Sequence, residues 1–301
     1  MPSSPAYLID ASIYIFRAWF SLPDRWRTPE GMPLNAVYGY TRFLLDFLEA
    51  QRPLHCIAAF DESLGTCFRN DIYPRYKASR ELPDEALAFQ LQACREVTER
   101  LGLPCYGGAR YEADDYLATL AALYRREGIA VCVVTRDKDL GQLLSGKEDR
   151  WWDYAAGVML DRDDFEARYG VRPEQFGDYL ALVGDPVDDI PGVPGVGART
   201  AAALLQAFGS LRGLRDNLGR VAGLRLRGAA ALVDRLQAHW PLVEMSRELA
   251  SLESRVPGLE AIPRSGLRGG RLDDLACYLR QLGLEGPLVR RCESLARTLP
   301  A

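Results

Sequence analysis

The sequence predicts an α/β fold: a mostly parallel central sheet flanked by helices, followed by a helical domain. Three observations carry this. Short, wholly apolar runs (Tyr7-Leu8-Ile9, Ile57-Ala58-Ala59-Phe60, Val131-Cys132-Val133-Val134) alternate with longer stretches of helical spacing. Such alternation implies a parallel sheet covered on both faces. Each run is closed by an acid, and after about residue 161 strand signals stop.

Residues 6–10 read as a buried strand entering a helix near 11–20. Residues 35–51 have helical apolar spacing, with Asn35 as the expected cap. A strand follows at 54–60. Residues 62–83 carry Arg69, Arg75, Lys77 and Arg80 among Phe68, Tyr73 and Tyr76, which reads as an exposed basic and aromatic segment. Helix 84–102, a short strand near 103–106, helix 113–127 and strand 129–135 come next. Trp151–Tyr154 and Gly157–Leu160 read as a hairpin. Helices are then expected at 161–168, 173–183, 198–207, 228–238, 240–248 and 272–283, with 249–270 irregular. The expected domains are 1–170 and 171–301, with the basic segment projecting at about 62–90.

Composition narrows the class. A charged fraction of 26% and an apolar fraction of 48% are ordinary for a globular chain of 301 residues. No long apolar run predicts a membrane span, and the first strand begins where a signal peptide would lie. The seven cysteines are scattered and form no CxxC pair, so reduced thiols and a cytoplasmic location are expected. Two histidines give little support to a zinc site or a Ser-His-Asp relay. The net charge of −4 argues at first against a nucleic-acid partner. The acids, however, are clustered, and the positive charge is nearly all arginine, which suits bidentate phosphate contacts.

The acids at the ends of the apolar runs are Asp10, Asp61, the trio Glu112, Asp114 and Asp115, then Asp137 with Asp139, and Asp185 with Asp188. Parallel strands end on one edge, so carboxylates placed there converge. Several carboxylates together cannot all stay ionised without compensation. A divalent ion bound by hard oxygen ligands supplies it, which points to magnesium, with manganese able to substitute. Taken singly, each acid also reads as a cap or a solvated side chain. The trio would equally serve as an acidic first helical turn. Asp163-Asp164 and Asp273-Asp274 are read as caps, and Trp151 and Trp152 as packing residues.

Gly192-Val193-Pro194-Gly195-Val196-Gly197 lies between two predicted helices. Its glycines allow a tight turn, and the following helix start offers backbone donors to an anion. It lacks Gly-Lys-Ser/Thr, so it is not a Walker loop, and no strand enters it. A helix–hairpin–helix gripping a DNA phosphate backbone fits it better than a plain turn.

Together these segments resemble the 5′-nuclease family, which includes flap endonucleases, 5′→3′ exonucleases and the N-terminal domain of bacterial DNA polymerase I. The resemblance rests on Leu8-Ile9-Asp10-Ala11-Ser12, Phe60-Asp61, Phe68-Arg69, Tyr73-Pro74-Arg75-Tyr76-Lys77-Ala78-Ser79-Arg80 and Glu112-Ala113-Asp114-Asp115. It continues through Thr135-Arg136-Asp137-Lys138-Asp139-Leu140, Gly184-Asp185 with Asp188, and the glycine hairpin, covering about 7–205. It implies a PIN-like core with a helical arch. Asp10, Asp61, Glu112, Asp114 and Asp115 would hold a first metal ion. Asp137, Asp139, Asp185 and Asp188 would complete a second, for phosphodiester hydrolysis by a two-metal route. Lys77 and Arg80 would contact the scissile phosphate from the arch. Arg17, Arg69, Gly192, Val193, Gly195, Gly197, Arg199 and Thr200 would contact nucleic acid, and backbone at Val193 and Val196 would hold potassium.

The chain departs from the family in Asp189, where asparagine is usual, in Arg199 for a frequent lysine, and in Ala11 for glycine. The expected function is a metal-dependent 5′→3′ exonuclease and 5′-flap endonuclease. Its partners would be DNA with a flap or free 5′ end, an RNA primer, and a separate DNA polymerase, since an end at Ala301 leaves no room for one. It would act as a monomer, without a membrane. The rivals are a DNA-binding protein without catalysis and a small-molecule phosphatase.

Overall fold

The computed structural model describes residues 4–263 and 269–297. In chain order come β1 (Ala6–Asp10), α1 (Ala11–Ser21), α2 (Asn35–Gln51), β2 (His55–Ala59) and α3 (Phe68–Ile72). Next are α4 (Glu85–Arg100), β3 (Cys105–Tyr106), α5 (Ala113–Arg126), β4 (Val131–Val134), β5 (Arg150–Asp153) and β6 (Val158–Leu160). Then α6 (Arg162–Tyr169), α7 (Phe176–Val183), α8 (Ala198–Phe208), α9 (Leu211–Asp216), α10 (Ala229–Ala238) and α11 (Trp240–Leu249) follow. α12 (Gly269–Gln281) and α13 (Pro287–Ala296) close the chain. The expected irregular stretch 249–270 contains no helix over 250–263, and its residues 264–268 lie outside the described residues. No helix among the described residues is long and apolar enough to cross a membrane.

Two compact units emerge, and both are discontinuous in sequence. The first comprises 1–62, 82–136 and 254–301; the second comprises 63–81 and 137–253.

In the first unit the strands lie in the order β3-β2-β1-β4, all parallel. β1 is buried along its whole length, as expected for an inner strand with helices on both faces. The register sets Asp10 opposite Ala59, so β1 and β2 end together. The core is filled by apolar side chains such as Leu8, Ile9, Ile15, Leu44, Phe47, Leu117 and Leu120, all fully buried. Burial is worth roughly 1.5–3 kcal/mol for each large side chain. Asn35 is not the cap of α2: Leu34 holds that position. Its amide instead donates to the carbonyls of Trp19 (2.9 Å) and Leu22 (3.4 Å), satisfying the open C-terminal end of α1.

In the second unit β5 and β6 form the expected antiparallel hairpin, with Trp151 opposite Leu160. Helices α6 and α7 meet through Phe165, Tyr169, Phe176 and Tyr179, whose rings pack edge-on and offset. Residues 63–81 are less helical than an arch: α3 has five residues and is followed by consecutive turns closed by Tyr73–Tyr76, Arg75–Ala78 and Lys77–Arg80 hydrogen bonds.

Candidate active site

In the first unit, β1 delivers Asp10 to the C-terminal edge of the sheet, where it is 4% exposed. Thr135 Oγ1, just past the end of β4, donates to Asp10 Oδ2 at 2.9 Å. Asp61 lies two residues beyond β2, half-buried, with its N–H donating to Ser12 Oγ at 2.9 Å. Glu112 stands at the cap position of α5 and Asp115 at its third residue; both are buried, Asp115 completely. Asp115 Oδ2 accepts from the Glu112 N–H at 3.1 Å, so the acidic trio does cap a helix. A solvated cap has no need of full burial, and two buried carboxylates at the end of a parallel sheet are costly as caps alone.

The second unit holds the remaining acids beside basic side chains. Asp137 Oδ1 accepts from the Asp139 N–H at 2.8 Å, and Trp151 Nε1 donates to the Asp137 carbonyl at 2.7 Å. Trp151 is therefore both core and a support for the Asp137 backbone. Burial raises both carboxyls, and repulsion from Asp137 adds to it at Asp139, which is pushed up to about 7. Asp185 is 4% exposed; its Oδ1 accepts from the Val187 N–H at 2.9 Å and its Oδ2 from Lys138 Nζ at 2.6 Å. Lys138 Nζ also lies 3.1 Å from Asp139 Oδ1. Partial burial works to lower the Lys138 ammonium, but Asp139 and Asp185 outweigh it and raise it.

Asp188 gathers the basic segment. Arg80 donates to its Oδ1, while Tyr76 Oη (3.5 Å) and Lys77 Nζ (3.7 Å) lie at its Oδ2. The Lys77 N–H donates to the Asp188 carbonyl at 3.0 Å and the Ser79 N–H to Asp189 Oδ2 at 2.8 Å. Lys77 (φ 52°) and Asp189 (φ 55°) both adopt the left-handed region, which costs a side-chain-bearing residue about 1–2 kcal/mol. Asparagine tolerates that backbone well. Asp189 adds a charge that its bond to Ser79 holds below the usual carboxylate range.

The turn after α7 is built on two glycines in backbone contact. A Cβ on Gly192 would meet the Val183 carbonyl oxygen at 2.2 Å, and one on Gly184 (φ +81°) would meet Gly192 N at 2.6 Å. Paired hydrogen bonds of 2.9 Å between Asp185 and Ile190 close the loop, and Val193 N–H reaches the Leu182 carbonyl. Within the hairpin Val193 and Val196 point into the core, whereas Gly195, Gly197 and Arg199 are exposed and Thr200 is half-exposed. Ser246 Oγ anchors the hairpin at the Pro191 carbonyl, 2.6 Å away.

Arg17 is exposed on α1. Arg69, expected on nucleic acid, is instead 2% exposed; its guanidinium donates to the carbonyls of Leu249 (2.9 Å) and Ser251 (2.6 Å). The open C-terminal end of α11 needs donors, and Arg69 provides them from α3. Sequence reasoning missed Thr135, Tyr76 and Lys138, which hold the acids. It also missed Arg235, whose guanidinium lies beside Gly195. Thr135, Tyr76 and Lys138 all lie within the motif stretches quoted above, and Lys138 is also flanked by two acids.

Among the described residues no three Asp, Glu, His or Cys side chains are gathered closely enough to hold an ion. The donor chemistry nevertheless suits a hard divalent cation. Asp139 Oδ1 is buried, with the Lys138 ammonium 3.1 Å away as its compensating contact. Carboxyls raised first by burial and then by neighbouring carboxylates are what a divalent ion compensates.

Family comparison agrees with this chemistry. Residues 5–170 match the 5′-3′ exonuclease N-terminal resolvase-like domain, and 171–267 match the 5′-3′ exonuclease C-terminal SAM fold. DNA polymerase I of Mycobacterium tuberculosis (strain ATCC 25618 / H37Rv) is 40% identical over 254 residues, covering 83% of this chain and 27% of that protein. The thermostable DNA polymerase I of Thermus thermophilus is 35% identical over 281 residues, covering 93% and 32%. The chain thus spans about a third or less of the length of these relatives.

Two solved structures share the fold. A bacteriophage T5 flap endonuclease, in a pseudo-enzyme-product complex with DNA and metal ions, superposes with a TM-score of 0.67 at 19% identity, covering 97% of this chain and 99% of its own. The catalytic core of Rad2 in complex with DNA substrate gives 0.64 at 18%, covering 99% and 93%. With both of its domains matched in sequence order, the chain belongs to the 5′-3′ exonuclease family.

Proposed function

We propose that this chain is a divalent-metal-dependent 5′ nuclease that hydrolyses phosphodiester bonds at free 5′ ends and 5′ flaps of DNA. The observation that carries it is the burial of Asp10, Glu112 and Asp115 at the C-terminal ends of parallel strands and at the helix start beside them.

Asp10, Asp61, Glu112, Asp114 and Asp115 would hold one metal ion, and Asp137, Asp139, Asp185 and Asp188 a second. When bound, the ions would lower the pKa of water and stabilise the leaving oxygen, giving a 5′-phosphate and a 3′-hydroxyl. Thr135 and the Glu112 N–H orient Asp10 and Asp115 respectively. Lys77 and Arg80 would bind the scissile phosphate, offsetting charge that develops there. The exposed backbone of Gly195 and Gly197, with Arg199 and Thr200, would grip duplex phosphates at the start of α8, and potassium would sit on the backbone near Val193 and Val196. Cytoplasmic replication and repair beside a DNA polymerase, with RNA primers among the substrates and the chain acting as a monomer, fits this chemistry.

The test is cleavage of a 5′-labelled flap duplex and a matched blunt duplex in magnesium, manganese or chelator. Metal-dependent release of short 5′ products, faster from the flap, is expected. Flap binding without cleavage in either metal would instead favour a non-catalytic DNA-binding protein. Hydrolysis of a small phosphate ester alone would favour a phosphatase.

A further inference from the structure

We propose that Lys138 is a tethered counter-ion that holds Asp139 and Asp185 in place of a divalent cation and is displaced when the metal binds. This rests on the metal-dependent reading above. One ammonium serves two carboxylates from separate stretches of the second unit: Asp185 Oδ2 at 2.6 Å and Asp139 Oδ1 at 3.1 Å. Without a cation these buried acids would repel each other, and a single charge eases that only in part. Asp139 Oδ1 is buried, and the Lys138 ammonium is the charge set against it.

The ligands do not depend on Lys138 for their position. Asp185 Oδ1 is fixed by the Val187 N–H at 2.9 Å, and the Asp139 backbone is tied to Asp137 Oδ1 at 2.8 Å. The ammonium can therefore leave without collapse of the carboxylates. Its own backbone stays put, since the Lys138 carbonyl accepts from the Gly141 N–H at 2.9 Å. The side chain is 40% exposed, so four rotatable bonds lead it outward to water. A bound ammonium and a divalent ion compete for the same oxygens. Lys138 would thus set the metal concentration at which the site fills.

The experiment is Mn²⁺ titration of the whole chain, read as loss of the free-ion electron paramagnetic resonance signal, with thermal melts in chelator alongside. Wild type is compared with Lys138→Met, Lys138→Gln and Lys138→Arg. Displacement predicts that Met and Gln variants bind Mn²⁺ about tenfold more tightly, a difference of about 1.4 kcal/mol. Their metal-free melting temperatures should fall, and Arg should stay close to wild type in both. Met or Gln variants that fold only with Mn²⁺ would also support the proposal. Equal or weaker Mn²⁺ binding by Met and Gln, with wild-type binding intact, would overturn the role of Lys138 alone. No Mn²⁺ binding by any of the four proteins would overturn this proposal and the metal-dependent reading together.

Discussion

Asp115 shows how one side chain carries two jobs. It is fully buried, it accepts from the Glu112 N–H, and it belongs to the set expected on a metal. Asp115→Asn keeps shape and most hydrogen bonding but removes the charge. It should lower kcat on a flap duplex by a factor of at least 10³ while leaving flap affinity within about threefold; equal losses of both would point to misfolding. Asp139 gives a test with a defined sign. Its carboxyl is raised from 3.8 to about 7, so the folded state favours the protonated form. Its stabilising contribution is whole below about pH 4 and is lost as pH rises towards 7. In chelator, Asp139→Asn should therefore gain stability over wild type progressively from pH 4 to 7 and then level off. Urea midpoints measured at pH 4, 5, 6, 7 and 8 would check this. A difference independent of pH would remove the argument.

Elements impose constraints that single side chains do not. The turn after α7 brings Gly184 and Gly192 into backbone contact, and neither has room for a methyl group. Gly192→Ala should shift the backbone and lower the melting temperature by several degrees, with cleavage reduced at saturating substrate. An unchanged melt would show that the loop is slack. Arg69 joins α3 to the end of α11 through the buried Leu249 carbonyl and the part-buried Ser251 carbonyl. Arg69→Met leaves both carbonyls unsatisfied, at about 1–3 kcal/mol each. A total loss of about 2–6 kcal/mol of stability, with salt dependence of DNA binding unchanged, is expected from chemical denaturation and filter binding. A shallower salt slope would return Arg69 to the nucleic acid.

At the scale of the whole molecule, a ligand that binds only the folded chain stabilises it in proportion to the logarithm of its concentration. Manganese should raise the melting temperature of wild type progressively. Asp115→Asn and Asp139→Asn should each show a smaller rise. A wild-type melt insensitive to manganese would count against a bound ion. Much of the architecture behind this test is legible in the amino-acid order. The parallel strands follow from short apolar runs too uniformly buried to alternate, and the acids at their ends from the strand boundaries. The match to both exonuclease domains follows from the order of the motifs.

Local pattern could not reveal partners distant in the chain. The order of residues placed Asp10, Asp61 and Glu112 at element ends because strand length and helix capping are short-range properties. Tertiary structure alone decided that Arg69 would clasp α11, more than 170 positions away, rather than remain exposed. It also decided that Lys138 would bridge Asp139 to Asp185. A charged side chain reads the same in sequence whether it meets water, a carbonyl or a carboxylate. Only packing determines which of these it reaches, since the cost of burying it must be met by whatever group lies beside it.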